Sequence, residues 1–88
     1  SSKASQDRFA VMEAYVTIMK GNVKQLDAVH NRLVEVLSIV IFTLIFRDHN
    51  ISALLAMAMV KFMMGKDTEA NNFLKICAKM NYQPEFGE

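Results

Sequence analysis

The side chains of this chain that could bind a metal or act as a nucleophile are two histidines and one cysteine. His30 and His49 are far apart and lack the HxxxH or Cx2C companions that are typical of a zinc site. We therefore expect two ordinary histidines and no metal. Cys77 has only Lys75 and Lys79 as basic neighbours, and both would point elsewhere around a helix. Cys77 is predicted to be a small packing residue.

Motifs for phosphate, dinucleotide or acyl chemistry are missing from the sequence. GxGxxG, GxxxxGK[ST] and GxSxG do not occur. The carboxylates are scattered over helix ends and polar faces, where caps and surface ion pairs account for them. Asn50-Ile51-Ser52 matches a glycosylation triplet, but such triplets are common by chance. We expect a protein that is not an enzyme, with no cofactor and no small-molecule substrate.

Charge and cysteine content narrow the compartment and the partners. Ten basic and nine acidic side chains are interleaved along the 88 residues, so there is no basic stripe for nucleic-acid phosphates. A single cysteine cannot form an internal disulfide, which favours a reducing, intracellular compartment. The length predicts one small domain or a piece of something larger.

Two glycines divide the chain into helical hairpins. Gly21 and Gly65 each follow a segment with helical apolar spacing, where a helix end favours a residue with positive φ. Asn22 follows Gly21 directly, Asp67 follows Gly65 after one residue, and both are predicted N-caps. Both stretches therefore predict a tight turn between two helices.

The apolar spacing predicts four helices. The first runs from about Ser5 to Lys20, and the second starts near Val23. The third starts after Asn50 as N-cap, and the fourth runs from Thr68 to about Met80. The first helix has an apolar face formed by Phe9, Met12, Val16 and Met19 and widened by Val11, Tyr15 and Ile18. The second has an apolar face of Leu26, Val29, Leu33, Val36, Leu37, Val40 and Leu44, opposite a polar row of Lys24, Asp27, Asn31 and Glu35.

The order of helix, tight turn, helix is repeated after roughly 44 residues, which is typical of an α-solenoid. We predict an all-α fold of two antiparallel helix hairpins, a fragment of a tetratricopeptide-like superhelix. The first hairpin would cover residues 1–46, and the second, with the start of a further linker, residues 47–88.

An apolar run from Val36 to Phe46 interrupts the mixed pattern. It is about half the length needed to span a membrane and is followed directly by Arg47. We interpret residues 38–46 as an extension of the second helix by about two turns, apolar on all sides. The alternative is a membrane-associated helical module in which this run enters lipid.

Methionine is frequent, with seven in the chain, and four of them crowd the third helix. These four are Met57, Met59, Met63 and Met64. They predict either an adaptable groove for varied partners or a core padded with flexible side chains, and one helix can serve both roles on different faces.

The third and fourth helices resemble a tetratricopeptide repeat, a motif of about 34 residues with large and small residues at fixed positions. The resemblance assigns the packing positions to Leu54, Met57, Ala58, Ala70, Leu74 and Cys77, with Gly65 in the turn. Ala58 and Ala70 would let the two backbones approach closely. The sequence departs from the pattern at Lys61, where an aromatic is usual, and at Tyr82, where proline is usual.

The segment ISALLAMAMVKFMMGKDTEANNFLKICAKMNY is similar to a repeat of the tetratricopeptide repeat protein 21 family. This family supplies the large repeat subunit of the intraflagellar transport A particle, and VMEAYVTIMK and NVKQLDAV resemble the preceding helix pair. The resemblance implies an internal fragment of a scaffold for retrograde ciliary transport, in cytoplasm and cilium. Its partners would be other repeats of the same chain and other protein subunits.

The resemblance also implies a contact face and an insertion. The first helix of each hairpin lines the concave surface of such repeats, which makes Leu55, Met59 and Phe62 the candidate protein-binding residues. The same three side chains could instead be buried against a neighbouring hairpin. The apolar stretch of about residues 38–46 has no counterpart in the family and reads as an insertion or a gene-model artefact.

Overall fold

The structure is a computed structural model that describes residues 2–43 and 48–81. It contains the helices α1 (Lys3–Lys20), α2 (Leu26–Thr43), α3 (Asp48–Met63) and α4 (Asp67–Asn81), with a short 3-10 turn at Val23–Gln25 before α2. Within these two stretches all regular structure is helical and no strand is present. The predicted all-α fold class is confirmed.

The ends of α1 follow from local sequence. The Ser2 side chain accepts a hydrogen bond from the Ser5 amide at 3.2 Å and caps the first turn. At the other end, Gly21 adopts a φ of 64°, and its amide donates to the carbonyl of Ile18 at 3.0 Å. Glycine alone enters this left-handed region without steric cost, so the predicted end of the helix at Lys20 is confirmed.

The turn between α3 and α4 has the same design. Gly65 has a φ of 79°, and the Lys66 amide donates to the Lys61 carbonyl at 2.8 Å. The prediction that Asp67 is an N-cap is wrong by one position, because Asp67 is already the first residue of α4. The Lys66 carbonyl accepts the Ala70 amide at 3.0 Å, so the preceding residue opens the helix. Asn22 precedes the 3-10 turn and makes no side-chain cap hydrogen bond.

The connection between α2 and α3 differs from the prediction at one end. Helix α3 begins at Asp48, so Asn50 lies inside the helix and the prediction that it is the N-cap is wrong. Helix α2 continues through Ser38 to Thr43, as the predicted extension requires. Residues 44–46 of that extension and the proposed boundary between residues 46 and 47 lie outside the described residues.

The core is built around α3, which packs against α1, α2 and α4. Its fully buried side chains include Met57 and Val60, and Leu33 of α2 is equally enclosed. Small residues at the contacts let the helix backbones approach. Five alanines are fully buried: Ala14, Ala53, Ala56, Ala58 and Ala70. The predicted polar row of α2 is exposed, and its apolar face is buried from Leu26 to Leu37.

The buried face of α1 is not the large-residue face that the sequence singles out. Phe9 is 59% exposed, Met12 64%, and Met19 85%. The core is instead contacted by the opposite side of the helix, which carries Ala10, Val11, Ala14 and Thr17. The small side chains win because they allow a closer approach of α1 to α2 and α3.

Candidate interaction surfaces

The predicted contact residues of α3 lie on one side of that helix. Met59 is 42% exposed and Phe62 41% exposed, so both present apolar surface to solvent. Leu55, one turn before Met59, is only partly exposed and packs against the core. The structure therefore brings the three residues onto one face, where Leu55 also helps to anchor the helix.

The residues assigned to repeat packing lie on α3, on α4 and in the turn between them. Ala58 and Ala70 are fully buried, and Gly65 forms the turn between the helices. Leu74, expected at a large interlocking position, is 37% exposed. The remaining members of the set are also buried: Leu54, Met57 and Cys77.

Lys61 is a buried cation at the position where the resemblance implies an aromatic side chain. It is 7% exposed, and its Nζ donates to Glu69 Oε1 across the α3–α4 contact at 2.8 Å. This hydrogen bond is the main cause that lowers the pKa of the Glu69 carboxyl, with smaller contributions from the charges of Lys61, Lys66 and His30. The neighbouring Phe62 is exposed, so at these two positions the charged side chain is buried and the aromatic one faces solvent.

Burial favours the neutral forms of two titratable side chains near the core, Cys77 and Tyr15. Burial raises the pKa of the Cys77 thiol, which leaves it protonated and poorly nucleophilic near neutral pH. Burial also raises the pKa of Tyr15, and a small coulombic contribution from Cys77 acts in the same direction. The Tyr15 hydroxyl donates to the Ser52 carbonyl at 2.7 Å and thereby ties α1 to α3. Both side chains serve packing and helix docking.

His30 belongs to no group of potential metal ligands among the side chains that the structure describes. His30 Nδ1 lies 3.3 Å from Asn31 Oδ1 on the surface of α2. No group of three His, Cys, Asp or Glu side chains converges in the described part of the chain. The side chains of His49 and Asn50 lie outside that part.

A second apolar surface, which the sequence assigned no binding role, runs along α1. We call Phe9, Met12, Val16 and Met19 the α1 stripe; its best covered member, Val16, is still 48% exposed. The sequence held a signal for it: Ala10 and Ala14 repeat at helical spacing on the other side, so α1 is apolar on two opposite faces.

A groove of about 290 Å³ lies where α1, α2 and α3 meet. Its walls are mostly apolar, with Asp7 and Arg8 at one end. The lining residues are Asp7, Arg8, Val11, Met12, Tyr15, Val36 and Ser52. Met12 belongs to both the groove and the α1 stripe, so the two form one continuous surface.

Among the described helices, none combines the length and the apolar character that crossing a bilayer requires.

Comparison with known proteins found no match to this chain among family models, curated proteins or solved structures.

Proposed function

We propose that this chain is a non-enzymatic scaffold for protein–protein interaction, a two-hairpin segment of a tetratricopeptide-type α-solenoid. The observation that carries the proposal is the pairing of α3 with α4. Ala58 on α3 and Ala70 on α4 are fully buried, and Gly65 closes the turn with positive φ. Small residues at a crossing and a glycine turn are what two closely packed helices of one repeat need.

The scaffold is, in this proposal, a segment of the large repeat subunit of the intraflagellar transport A particle, acting in retrograde ciliary transport. The support is the resemblance of ALLAMA and of the ending AKMNY to that family. ALLAMA covers residues 53–58 of α3, and four of these, Ala53, Leu54, Ala56 and Met57, belong to the hydrophobic core. Its partners would be neighbouring repeats and other subunits, in cytoplasm and cilium.

The contact face of the scaffold would be Leu55, Met59 and Phe62. Met59 and Phe62 are large, apolar and about two-fifths exposed, which suits residues that anchor a partner. Leu55 gives the face a fixed base, because it packs against the core.

The test is binding of the 88-residue chain to purified subunits of the intraflagellar transport A particle. We expect one subunit to bind the wild-type chain and the double variant Met59→Glu/Phe62→Glu to lose at least about tenfold in affinity, a change of about 1.4 kcal/mol. Val34→Glu is the matched control, because Val34 is 45% exposed on α2. Absence of binding to every subunit, or equal loss in the control, would contradict the proposal.

A further inference from the structure

The α1 stripe is a straight, narrow apolar surface. Its members follow one another at spacings of three, four and three residues, so they lie along one side of the helix over about 15 Å. Their exposed fractions correspond to on the order of 500 Å² of apolar surface. Soluble monomers rarely expose more in one patch, and such patches mark binding sites.

The size of the stripe selects the kind of partner. A stable complex of two globular proteins buries about 800 Å² on each side, more than this surface offers. A single helix laid lengthwise needs only a strip of this width, and helix–helix contacts use the same three and four spacing. The stripe therefore fits one amphipathic helix.

The charged side chains beside the α1 stripe indicate which charges the partner helix should carry. Both carboxylates of α1 are engaged, Asp7 with Lys3 and Glu13 with Arg32. Arg8 and Lys20 form no ion pair within the described residues, and both are exposed. At about 100° per residue, these two cations lie on opposite edges of the stripe. The surface is thus apolar along its centre, with Arg8 on one edge and Lys20, together with the neutralised Glu13–Arg32 pair, on the other.

From this geometry we propose that the α1 stripe binds an amphipathic α-helix of a protein partner that carries acidic residues on both flanks of its apolar face. The apolar contact supplies affinity, while Arg8 and Lys20 set orientation and preference through opposite charge. The site is separate from the α3 contact face, and it does not depend on membership of the transport particle.

The test uses the 88-residue chain and two designed helical peptides of about 18 residues, titrated by fluorescence anisotropy. Both have leucines at three and four spacing; one has glutamates on its flanks and the other lysines. We expect the glutamate peptide to bind about tenfold more tightly than the lysine peptide at low salt. The double variant Arg8→Glu/Lys20→Glu should reverse that preference.

Matched variants distinguish binding at the α1 stripe from non-specific hydrophobic binding elsewhere on the chain. Met12→Glu should abolish binding of the glutamate peptide, whereas Ile76→Glu on α4, where Ile76 is 41% exposed, should leave it unchanged. Circular dichroism will check that each variant is helical. If Met12→Glu unfolds, the charge-reversal variant tests the same site, because it alters only two exposed side chains. Equal binding of both peptides, or none, would overturn the proposal.

Two further outcomes would assign the stripe to a different occupant. Sedimentation that shows a wild-type dimer abolished by Met12→Glu would make a second copy of the chain the occupant. Flotation with anionic phosphatidylglycerol vesicles that is lost in Met12→Glu would make it a lipid surface. Either result overturns the helix proposal, whereas a monomer that ignores vesicles and binds the glutamate peptide supports it.

Discussion

Lys61 places its ammonium group at a buried helix contact, where a charge without a partner would be costly. The Glu69 carboxylate at 2.8 Å supplies that partner, although Glu69 itself is about half exposed. The pair is therefore partly screened by water on one side. Its role is to make the burial of Lys61 tolerable, and its net contribution to stability is small.

Substitution of Lys61 should separate its charge from its packing. We expect Lys61→Ala to lower the free energy of unfolding by about 2–4 kcal/mol, because a buried side chain leaves a cavity. Lys61→Met keeps an unbranched apolar stem and should cost much less. Urea denaturation followed by circular dichroism measures both. Equal losses in the two variants would mean that the charge, and not the packed stem, is what stabilises this site.

The decrease in the free energy of unfolding at acid pH should depend on the protonation of the Glu69 carboxyl. Its pKa is lowered in the folded state from the ordinary value of 4.5, so its contribution is fully present above that value. The contribution is lost as the pH falls through the lowered folded-state pKa. We expect Glu69→Gln to flatten the fall in stability below about pH 4.5 relative to wild type. Unfolding at a series of pH values tests this, and parallel profiles would contradict it.

Gly65 should be sensitive to any side chain because of its backbone and not because of crowding. A Cβ there would meet no heavy atom of the described residues within 4 Å, but φ is 79°. We expect Gly65→Ala to cost about 1–2 kcal/mol and Gly65→Asn less, since asparagine tolerates this region better. Thermal unfolding of both variants provides the measurement. An alanine variant as stable as wild type would show that the turn can adopt another conformation.

At the scale of elements, the main feature is that α2 continues without a break from Leu26 to Thr43. The helix passes through Ser38, whose hydroxyl donates to the Glu35 carbonyl at 2.8 Å, and continues to Thr43. Such a bond to the preceding turn is compatible with a helix interior and contributes little. The Ser38 hydroxyl therefore does not account for the continuation of α2 to Thr43; the helical backbone hydrogen bonds do.

A proline at position 38 should test that continuation. Ser38→Pro removes a helical hydrogen bond and clashes with the preceding turn, so we expect a loss of about 3 kcal/mol. Ser38→Ala is the matched control and should be nearly neutral, because it removes only the bond to the carbonyl. Circular dichroism and urea unfolding give both quantities. A proline variant with wild-type stability would place the end of α2 before Ser38.

At the scale of the whole molecule, the main feature is the amount of apolar surface that is exposed to solvent. The radius of gyration is 13.5 Å, against about 12 Å for a compact chain of this length. Large apolar side chains are exposed on α1, α3 and α4, among them Met19, Phe62 and Ile76. In the proposed solenoid, a neighbouring repeat would cover part of this apolar surface.

The isolated chain should consequently unfold with poor cooperativity or aggregate on heating. We expect thermal transitions that are broad and shift with protein concentration, because exposed apolar faces associate. The double variant Met59→Glu/Phe62→Glu should reduce the dependence on concentration without loss of helix, since both residues are about two-fifths exposed. A sharp melt of the wild-type chain at every concentration would count against the proposed solenoid.

The sequence by itself determined the features that depend on neighbouring residues. The ends of helices at Gly21 and Gly65 were predicted, because positive φ is a local demand of the backbone. The buried and polar faces of α2 were predicted as well, because a long helix with one apolar side can be buried in only one way. The predicted N-caps at Asn50 and Asp67 were wrong, because α3 begins at Asp48 and α4 at Asp67, and local sequence specifies helix boundaries poorly.

Only the tertiary structure decided which side of α1 faces the core. Both sides of α1 are apolar, so periodicity alone cannot distinguish them. Close packing selected the side with Ala10 and Ala14, because small side chains admit nearby helix backbones, and it left the α1 stripe open. The burial of Lys61 was decided in the same way. It depends on a carboxylate from another helix, brought within hydrogen-bond distance by the packing of α3 against α4.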